Sequence, residues 1–132
     1  MLHDIHKAIE SLYPEMVEIR RYLHQYPELS FQEYKTAQYI AEFYDKLHIP
    51  YQKGVGGNGI VATLKGGKPG KTIALRADFD ALPIQDAKDV PYKSKVAGVM
   101  HACGHDGHTA TLLIIAKVLK TCRKYLYWVQ NS

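Results

Sequence analysis

The stretch MHACGHDGHTATLLIIAKVLK, residues 100–120, places a cluster of potential metal ligands directly before a run of apolar residues. Residues 101–108 contain three His, one Cys and one Asp. Apolar side chains occur on most sides of residues 108–120, so this segment predicts a helix that is largely buried. Gly104 and Gly107 allow the preceding backbone to bend tightly around an ion. The stretch therefore predicts a ligand-rich loop at the beginning of a buried helix.

The side chains of this cluster indicate a metal site. Thiolates and imidazoles are good ligands for Zn²⁺ and neighbouring divalent ions. The candidate residues are Cys103, His105, His101, Asp106 and His108. One alternative is a Cys103–His105 nucleophile pair, although such pairs usually take their His from a distant part of the chain. Another is a polar loop whose His side chains only form hydrogen bonds. Three His in eight positions favour the metal site.

Two helices are predicted before this stretch. A first apolar stripe with spacings of three and four indicates a helix, and it comprises Ile5, Ile9, Leu12, Met16, Ile19 and Leu23. Pro14 interrupts this stripe, so we expect a kink or two successive helices. Ser30 and Glu33 form the pattern of a capping box for a second helix. Its apolar stripe comprises Ala37, Ile40, Phe43 and Leu47.

The middle of the chain predicts a small sheet. Residues 60–64 and 72–77 have strand-like composition and are separated by the turn signal GGKPG, which suggests that they pair as a hairpin. A loop follows over residues 82–99. The order helix, helix, strand, strand, loop, helix is α/β, with helices plus an incomplete sheet. Residues 121–132 lack a clear period and suggest either a short strand or sequence that follows a truncation or frameshift.

Two further motifs carry candidate site residues. Asp78 and Asp80 follow the second predicted strand, and sites gather at the carboxyl ends of strands in open α/β sheets. A carboxylate there could orient a metal-binding imidazole, whereas the alternative is a solvated acidic turn. His24 lies near the end of the first predicted helix, where a cation is favoured. For His24 we expect a capping or packing role rather than a ligand role.

Composition limits the classes of partner. The chain has 132 residues, 46% of them hydrophobic, with a net charge of +4. Its Lys and Arg residues are scattered, so we expect no nucleic-acid partner. The longest apolar stretch, residues 112–116, is too short to span a bilayer, and residues 1–9 lack the apolar core of a signal peptide. We therefore expect no membrane partner and a cytoplasmic location, where cysteines stay reduced.

Four segments together resemble the peptidase M20 family, in particular its N-acyl-L-amino-acid amidohydrolase and hippurate hydrolase branch. They are RRYLHQYPE at residues 20–28, GIVA at 59–62, LRADFDALP at 75–83 and MHACGHDGHT at 100–109. The resemblance covers about residues 10–120. It implies that residues 1–120 are the N-terminal part of a zinc-peptidase-like catalytic domain, followed by a non-matching tail at residues 121–132.

The resemblance also implies a chemistry. Cys103 and His105 would be ligands in a centre of two divalent ions (Zn, Mn, Co or Ni). Asp78 would be the catalytic-site aspartate, with Asp80 as the alternative. The substrates would be N-acyl amino acids, and full-length relatives could form homo-oligomers.

Several parts of the family's site have no counterpart in these 132 residues. Family members supply an adjacent Glu pair, two further His ligands and a lid domain, whereas the last Glu of this chain is Glu42. We therefore expect the chain to be a truncated and inactive form of a metal-dependent amidohydrolase. The alternatives are a small non-catalytic metal-binding fragment, or a fragment that folds poorly.

Overall fold

The computed structural model describes residues 2–125 and 127–128. Three α-helices account for most of the regular structure: α1 at Leu2–Gln25, α2 at Tyr34–Lys46 and α3 at His105–Thr121. A short 3-10 helix at Arg123–Tyr125 follows α3. The strands are β1 at Tyr51–Val55, β2 at Gly59–Ala62, β3 at Lys68–Pro69 and β4 at Tyr127–Trp128. This composition confirms an α/β fold with an incomplete sheet.

Helix α1 is continuous through Pro14, so the alternative of two successive helices is wrong. Proline lacks the N–H that would bond to the carbonyl group of Glu10, four residues earlier. Both residues are exposed, so water can solvate that carbonyl group. The helix persists because one face packs on the protein core along its length, with Ile19 and Leu23 buried near its end.

The predicted capping box at the start of α2 is wrong. The helix begins at Tyr34, with Glu33 as its N-cap residue and no capping hydrogen bond from that side chain. Glu28 serves this role from outside the helix. Its carboxylate accepts hydrogen bonds from the backbone N–H groups of Lys35 (3.1 Å) and Thr36 (2.6 Å). An anion is favoured there by the unpaired N–H groups and by the helix dipole.

The hairpin forms from a different pair of segments than predicted. β2 overlaps the predicted strand at residues 60–64, but its antiparallel partner is β1, with Tyr51 opposite Ala62. Positive φ angles at Gly56 and Gly57 allow the short turn between them. Residues 72–77 form no strand in the described part of the chain. A three-residue turn at 56–58 closes a much shorter loop, which explains why the local partner is preferred.

The prediction of a buried final helix is confirmed, although α3 begins three residues earlier than predicted. Gly104 has a φ of 94°, in the left-handed region, and lets the chain turn directly into the helix at His105. Every residue from 112 to 119 is buried or half-buried. Helix α3 packs against α1, and the buried core comprises Ile19, Leu23, Ile40, Tyr44, Ile49, Ala110, Leu113, Ile114 and Val118.

The segment after α3 contributes one short strand. β4 pairs in parallel with β3, with Lys68 opposite Tyr127 and Pro69 opposite Trp128. This agrees with the suggestion of a short strand in residues 121–132, five of which lie outside the described residues. No helix in the described ranges is long and apolar enough to cross a membrane.

Candidate metal centre

Two chain segments meet at the N-terminus of α3. Leu82 pairs with Met100 in an antiparallel bridge, with N–O distances of 3.0 and 3.1 Å. The backbone N–H of Ala81 donates to the carbonyl group of Glu28 at 2.7 Å. These bonds hold the DFDALP segment beside the ligand-rich loop, although the two are about twenty residues apart in sequence.

His105 is oriented by Asp80. The Nδ1 atom of His105 lies 2.9 Å from the Oδ1 atom of Asp80 and 2.9 Å from its backbone oxygen. A proton on Nδ1 satisfies both acceptors, which leaves Nε2 with its lone pair available. No described residue hydrogen-bonds to Nε2. A carboxylate that holds one ring nitrogen while the other faces a metal is the usual arrangement of a metal-bound His.

The Asp80 carboxylate is itself held in its ionised form. The hydroxyl group of Ser30 donates to Oδ2 of Asp80, and this bond is the main reason that the pKa of Asp80 is lowered. Partial burial acts in the opposite direction, while the backbone N–H and His105 lower the pKa further. Asp80 is therefore an anionic hydrogen-bond acceptor at neutral pH.

Asp78 occupies a different environment. Its carboxylate forms an ion pair with Arg76, and its side chain is 43% exposed. The contact of Asp78 with α3 is through its backbone, because its carbonyl oxygen accepts a hydrogen bond from the hydroxyl group of Thr109 at 2.9 Å. The structure therefore brings the carboxylate of Asp80, rather than that of Asp78, to His105.

His101 is buried and has no hydrogen-bond partner. It is 5% exposed, and neither ring nitrogen has a partner among the described residues. Burial lowers the pKa of His101, partly offset by the charge of Asp106, so the ring is neutral at pH 7. A buried polar atom without a partner is rare in folded proteins. A neutral imidazole with two unsatisfied nitrogens fits a ligand that an absent ion would complete.

The remaining residues of the cluster separate into two groups. Cys103 is an exposed free thiol, and His108 is exposed with its ring centre 6.0 Å from that of His105. Asp106 is 1% exposed and contacts His24 and Arg20 instead. Among residues 2–125 and 127–128, no three His, Cys, Asp or Glu side chains are arranged to hold a metal ion.

Comparison of the sequence with known protein families identifies the family of this chain. Residues 74–130 match the model of peptidase family M20/M25/M40, and this range includes both segments that meet at α3. The chain belongs to the M20 peptidase family. The matched range also extends beyond Lys120 into residues 121–130, part of the segment that we expected to be a non-matching tail.

Relatives of this M20 chain are considerably longer. It is 63% identical over 123 residues, 93% of its length, to the Bacillus subtilis protein named "Putative amidohydrolase YhaA", of which it covers 31%. It is 44% identical over 121 residues to an N-acyl-L-amino acid amidohydrolase of Geobacillus stearothermophilus, covering 91% of this chain and 32% of that protein. The chain thus spans about a third of the length of these relatives, at their N-terminal end.

A solved M20 structure supports the fold. The crystal structure of Bacillus subtilis YXEP, described as a dinuclear metal-binding peptidase, superposes with a TM-score of 0.83 at 42% sequence identity. The match covers 89% of this chain and 33% of the other. The fold of this M20 segment is therefore retained in a protein described as binding two metal ions.

Sequence patterns missed part of this M20 site. His24 has the packing role that we expected, but it is also the centre of a buried hydrogen-bonded group that includes Arg20, Asp86 and Asp106. The spacing of Arg20 and His24, four residues apart on one helix face, is the signal that could have indicated a shared partner. Asp86 lies in a loop without periodicity, and no local pattern marks it as buried.

Proposed function

We propose that this chain forms the N-terminal part of a two-metal amidohydrolase that acts on N-acyl amino acids. Cys103 and His105 are the proposed metal ligands, with divalent Zn, Mn, Co or Ni as the ions. The carrying observation is that Asp80 holds Nδ1 of His105 and leaves Nε2 available. The names of the relatives support amide hydrolysis and the substrate class.

The chain's own residues have distinct proposed roles. Cys103 would bind through its thiolate and His105 through Nε2, and this mixed set suits Zn²⁺ and similar ions. His101 would add a neutral nitrogen from the buried side of the loop. Asp80 orients the His105 ring and raises its basicity through the hydrogen bond to Nδ1. When bound, the ions would polarise the substrate's amide carbonyl and lower the pKa of water.

A second candidate function is metal binding without catalysis. It needs only ligands such as Cys103 and His105, and no group that accepts the proton of an attacking water. We also propose a cytoplasmic location. The two cysteines are free, and cysteines usually stay reduced in the cytoplasm. We further propose that longer relatives form homo-oligomers and that this protein has no nucleic-acid or membrane partner.

Replacing Cys103 with Ser is expected to remove most of the metal affinity of this chain. Serine retains the shape but replaces a soft thiolate with a hard hydroxyl group. Titration with Co²⁺ should show a sulfur-to-cobalt charge-transfer band in the wild type that is absent from Cys103→Ser. The affinity loss should exceed the roughly 10–100-fold that supporting residues typically cause.

The matched control is Cys122→Ala, which removes the other cysteine. Cys122 is 4% exposed and lies among apolar residues at the end of α3. This variant should keep the band and the Co²⁺ stoichiometry. An unchanged band in Cys103→Ser would show that Cys103 is not a ligand.

Asp80→Asn is expected to weaken Co²⁺ binding by about 10–100-fold, because the anionic acceptor that orients His105 is lost. Asp78→Asn is its matched control. That change removes an exposed ion pair with Arg76. Exposed ion pairs contribute little to the free energy of folding. Calorimetric titration of both variants measures the difference. A larger loss in Asp78→Asn would restore Asp78 as the main aspartate of the site, as the family motif implies.

A further inference from the structure

A network of charged residues is buried beside the metal-binding loop, and the proposed chemistry does not use it. His24 and Asp86 are 0% exposed and Asp106 is 1% exposed. Arg20 completes the network from the surface, with its side chain 36% exposed. We refer to Arg20, His24, Asp86 and Asp106 as the buried charge network.

His24 is the centre of this network. Its Nδ1 atom lies 2.7 Å from Oδ2 of Asp106, and its Nε2 atom lies 3.1 Å from Oδ2 of Asp86. An ionised carboxylate only accepts hydrogen bonds, so a ring nitrogen bonded to one is the donor. The ring of His24 therefore bridges Asp106 and Asp86.

Asp106 connects the network to the metal-binding loop. Its Oδ2 atom also lies 2.9 Å from Nε of Arg20, and its Oδ1 atom accepts the backbone N–H of Gly107 at 2.9 Å. Asp106 directly follows His105 in the first turn of α3. The hydrogen bonds of Asp106 therefore anchor the helical turn that begins at a proposed ligand.

Asp86 connects the network to the loop at residues 82–99. Its carboxylate accepts backbone N–H groups from Lys88 (3.1 Å) and Ser94 (3.0 Å). The bond from Ser94 is the main reason that the pKa of Asp86 is lowered. Burial opposes this effect, and the Lys88 N–H, the His24 bond and the Lys88 charge lower the pKa further. Asp86 thus remains an anion despite its burial.

We propose that His24 is a positioning residue of the metal centre, which it serves by holding Asp106 and with it the backbone of His105 at the start of α3. This inference rests on the proposed metal-binding function. His24 joins three segments that are distant in sequence: the end of α1, the loop carrying Asp86 and the first turn of α3.

The energetics of burial favour this role over simple packing. Taking charges out of water is costly, and well-packed apolar residues of similar volume often stabilise a protein equally well or better. Apolar side chains could not, however, hold Asp106 at a defined distance and angle. The distinctive contribution of the network is therefore the geometry of the loop.

Two variants separate the bonds that His24 makes. The side-chain amide nitrogen of an Asn overlies Nδ1 of a His, whereas that of a Gln overlies Nε2. His24→Asn therefore keeps a donor to Asp106 and loses the one to Asp86, and His24→Gln does the reverse. Both replace the imidazole ring with a neutral side-chain amide, so they are matched controls for each other. Val118→Ala is a second control, about 20 Å further along α3 at 1.5 Å per residue.

Two measurements on the 132-residue chain give the test. Co²⁺ titration should show about 10–100-fold weaker binding and an altered d–d spectrum for His24→Gln, and near wild-type values for His24→Asn and Val118→Ala. Hydrogen exchange without metal should be faster at Gly107 and His108 in His24→Gln, since their N–H groups bond to Gly104 in the first turn. Equal behaviour of the two His24 variants in both measurements would overturn the proposal.

A third measurement needs no variant. The ¹⁵N NMR spectrum of the wild-type His24 ring should show a proton on Nδ1, the nitrogen that faces Asp106, and an unprotonated Nδ1 would overturn the proposal even if the variants failed to fold. If the wild type bound no Co²⁺, the proposed metal ligands would be wrong. Hydrogen exchange and the ring spectrum would then still decide whether His24 positions the loop.

Discussion

The 132-residue chain, supplied with Zn²⁺, Mn²⁺ or Co²⁺, is expected to release no amino acid from N-acetyl or N-benzoyl amino acids above the uncatalysed rate. Amide hydrolysis in a metal site needs a group that accepts the proton of the attacking water, and loss of such a base typically costs about 10²–10⁴-fold. The resemblance to the M20 family implies a Glu in that role, whereas the last Glu of this chain is Glu42 on α2.

The carboxylates nearest the metal-binding loop already form hydrogen bonds or ion pairs with other side chains. Asp106 is buried against His24 and Arg20. Asp80 contacts His105 and Ser30. Neither can accept a proton from water without giving up a contact that shapes the site. The lid domain that the resemblance implies is not among these 132 residues. Without it the substrate is positioned less well, and positioning can lower a reaction barrier by about 7–11 kcal/mol.

The assay follows free amino acid over time with the purified chain and each metal. The full-length N-acyl-L-amino acid amidohydrolase of Geobacillus stearothermophilus, handled in parallel, is the positive control. Turnover by the 132-residue chain that depends on metal and disappears in Cys103→Ser would contradict the prediction. It would show that the residues present here are sufficient for catalysis.

Leu113→Ala is expected to lower the free energy of unfolding by about 2–5 kcal/mol. Leu113 is 1% exposed and lies in the core where α3 packs against α1. Truncation removes buried methyl and methylene groups and leaves a cavity that the surrounding helices can only partly fill. Urea unfolding followed by circular dichroism measures the change.

The matched control is Leu75→Ala, the same substitution at a side chain that is 56% exposed. Exposed positions away from special features usually change stability by less than about 0.5 kcal/mol. Equal losses in the two variants would mean that Leu113 is not part of a packed core in solution.

Local patterns predicted most of the helical structure, and residue types marked the candidate metal ligands. The stripes of α1 and α2 follow from a spacing that places apolar residues on one helix face. The apolar run of α3 predicted burial because too few polar positions remain to face water. Residue types alone marked Cys103 and His105 as two of five candidate ligands, and the resemblance to the M20 family singled them out.

Pairing over longer distances was predicted less well, because strand-like composition does not specify a partner. Residues 60–64 and 72–77 were expected to pair, but the turn at residues 56–58 joins β1 and β2 instead. Similarly, Ser30 was assigned to a helix cap from its spacing to Glu33. In the structure its hydroxyl group donates to Asp80, fifty residues away, and Glu28 caps the helix.

The sequence by itself determined the residue types of this site, its position before a buried helix and its resemblance to the M20 family, since all of these depend on local order and spacing. Only the tertiary structure decided that the carboxylate of Asp80 rather than that of Asp78 reaches His105, and that His24 lies between Asp86 and Asp106. The physical reason is that a hydrogen bond depends on atoms within about 3 Å. His24 is separated in sequence from Asp86 by 62 positions and from Asp106 by 82, so these atoms come close only when the helices and loops pack together.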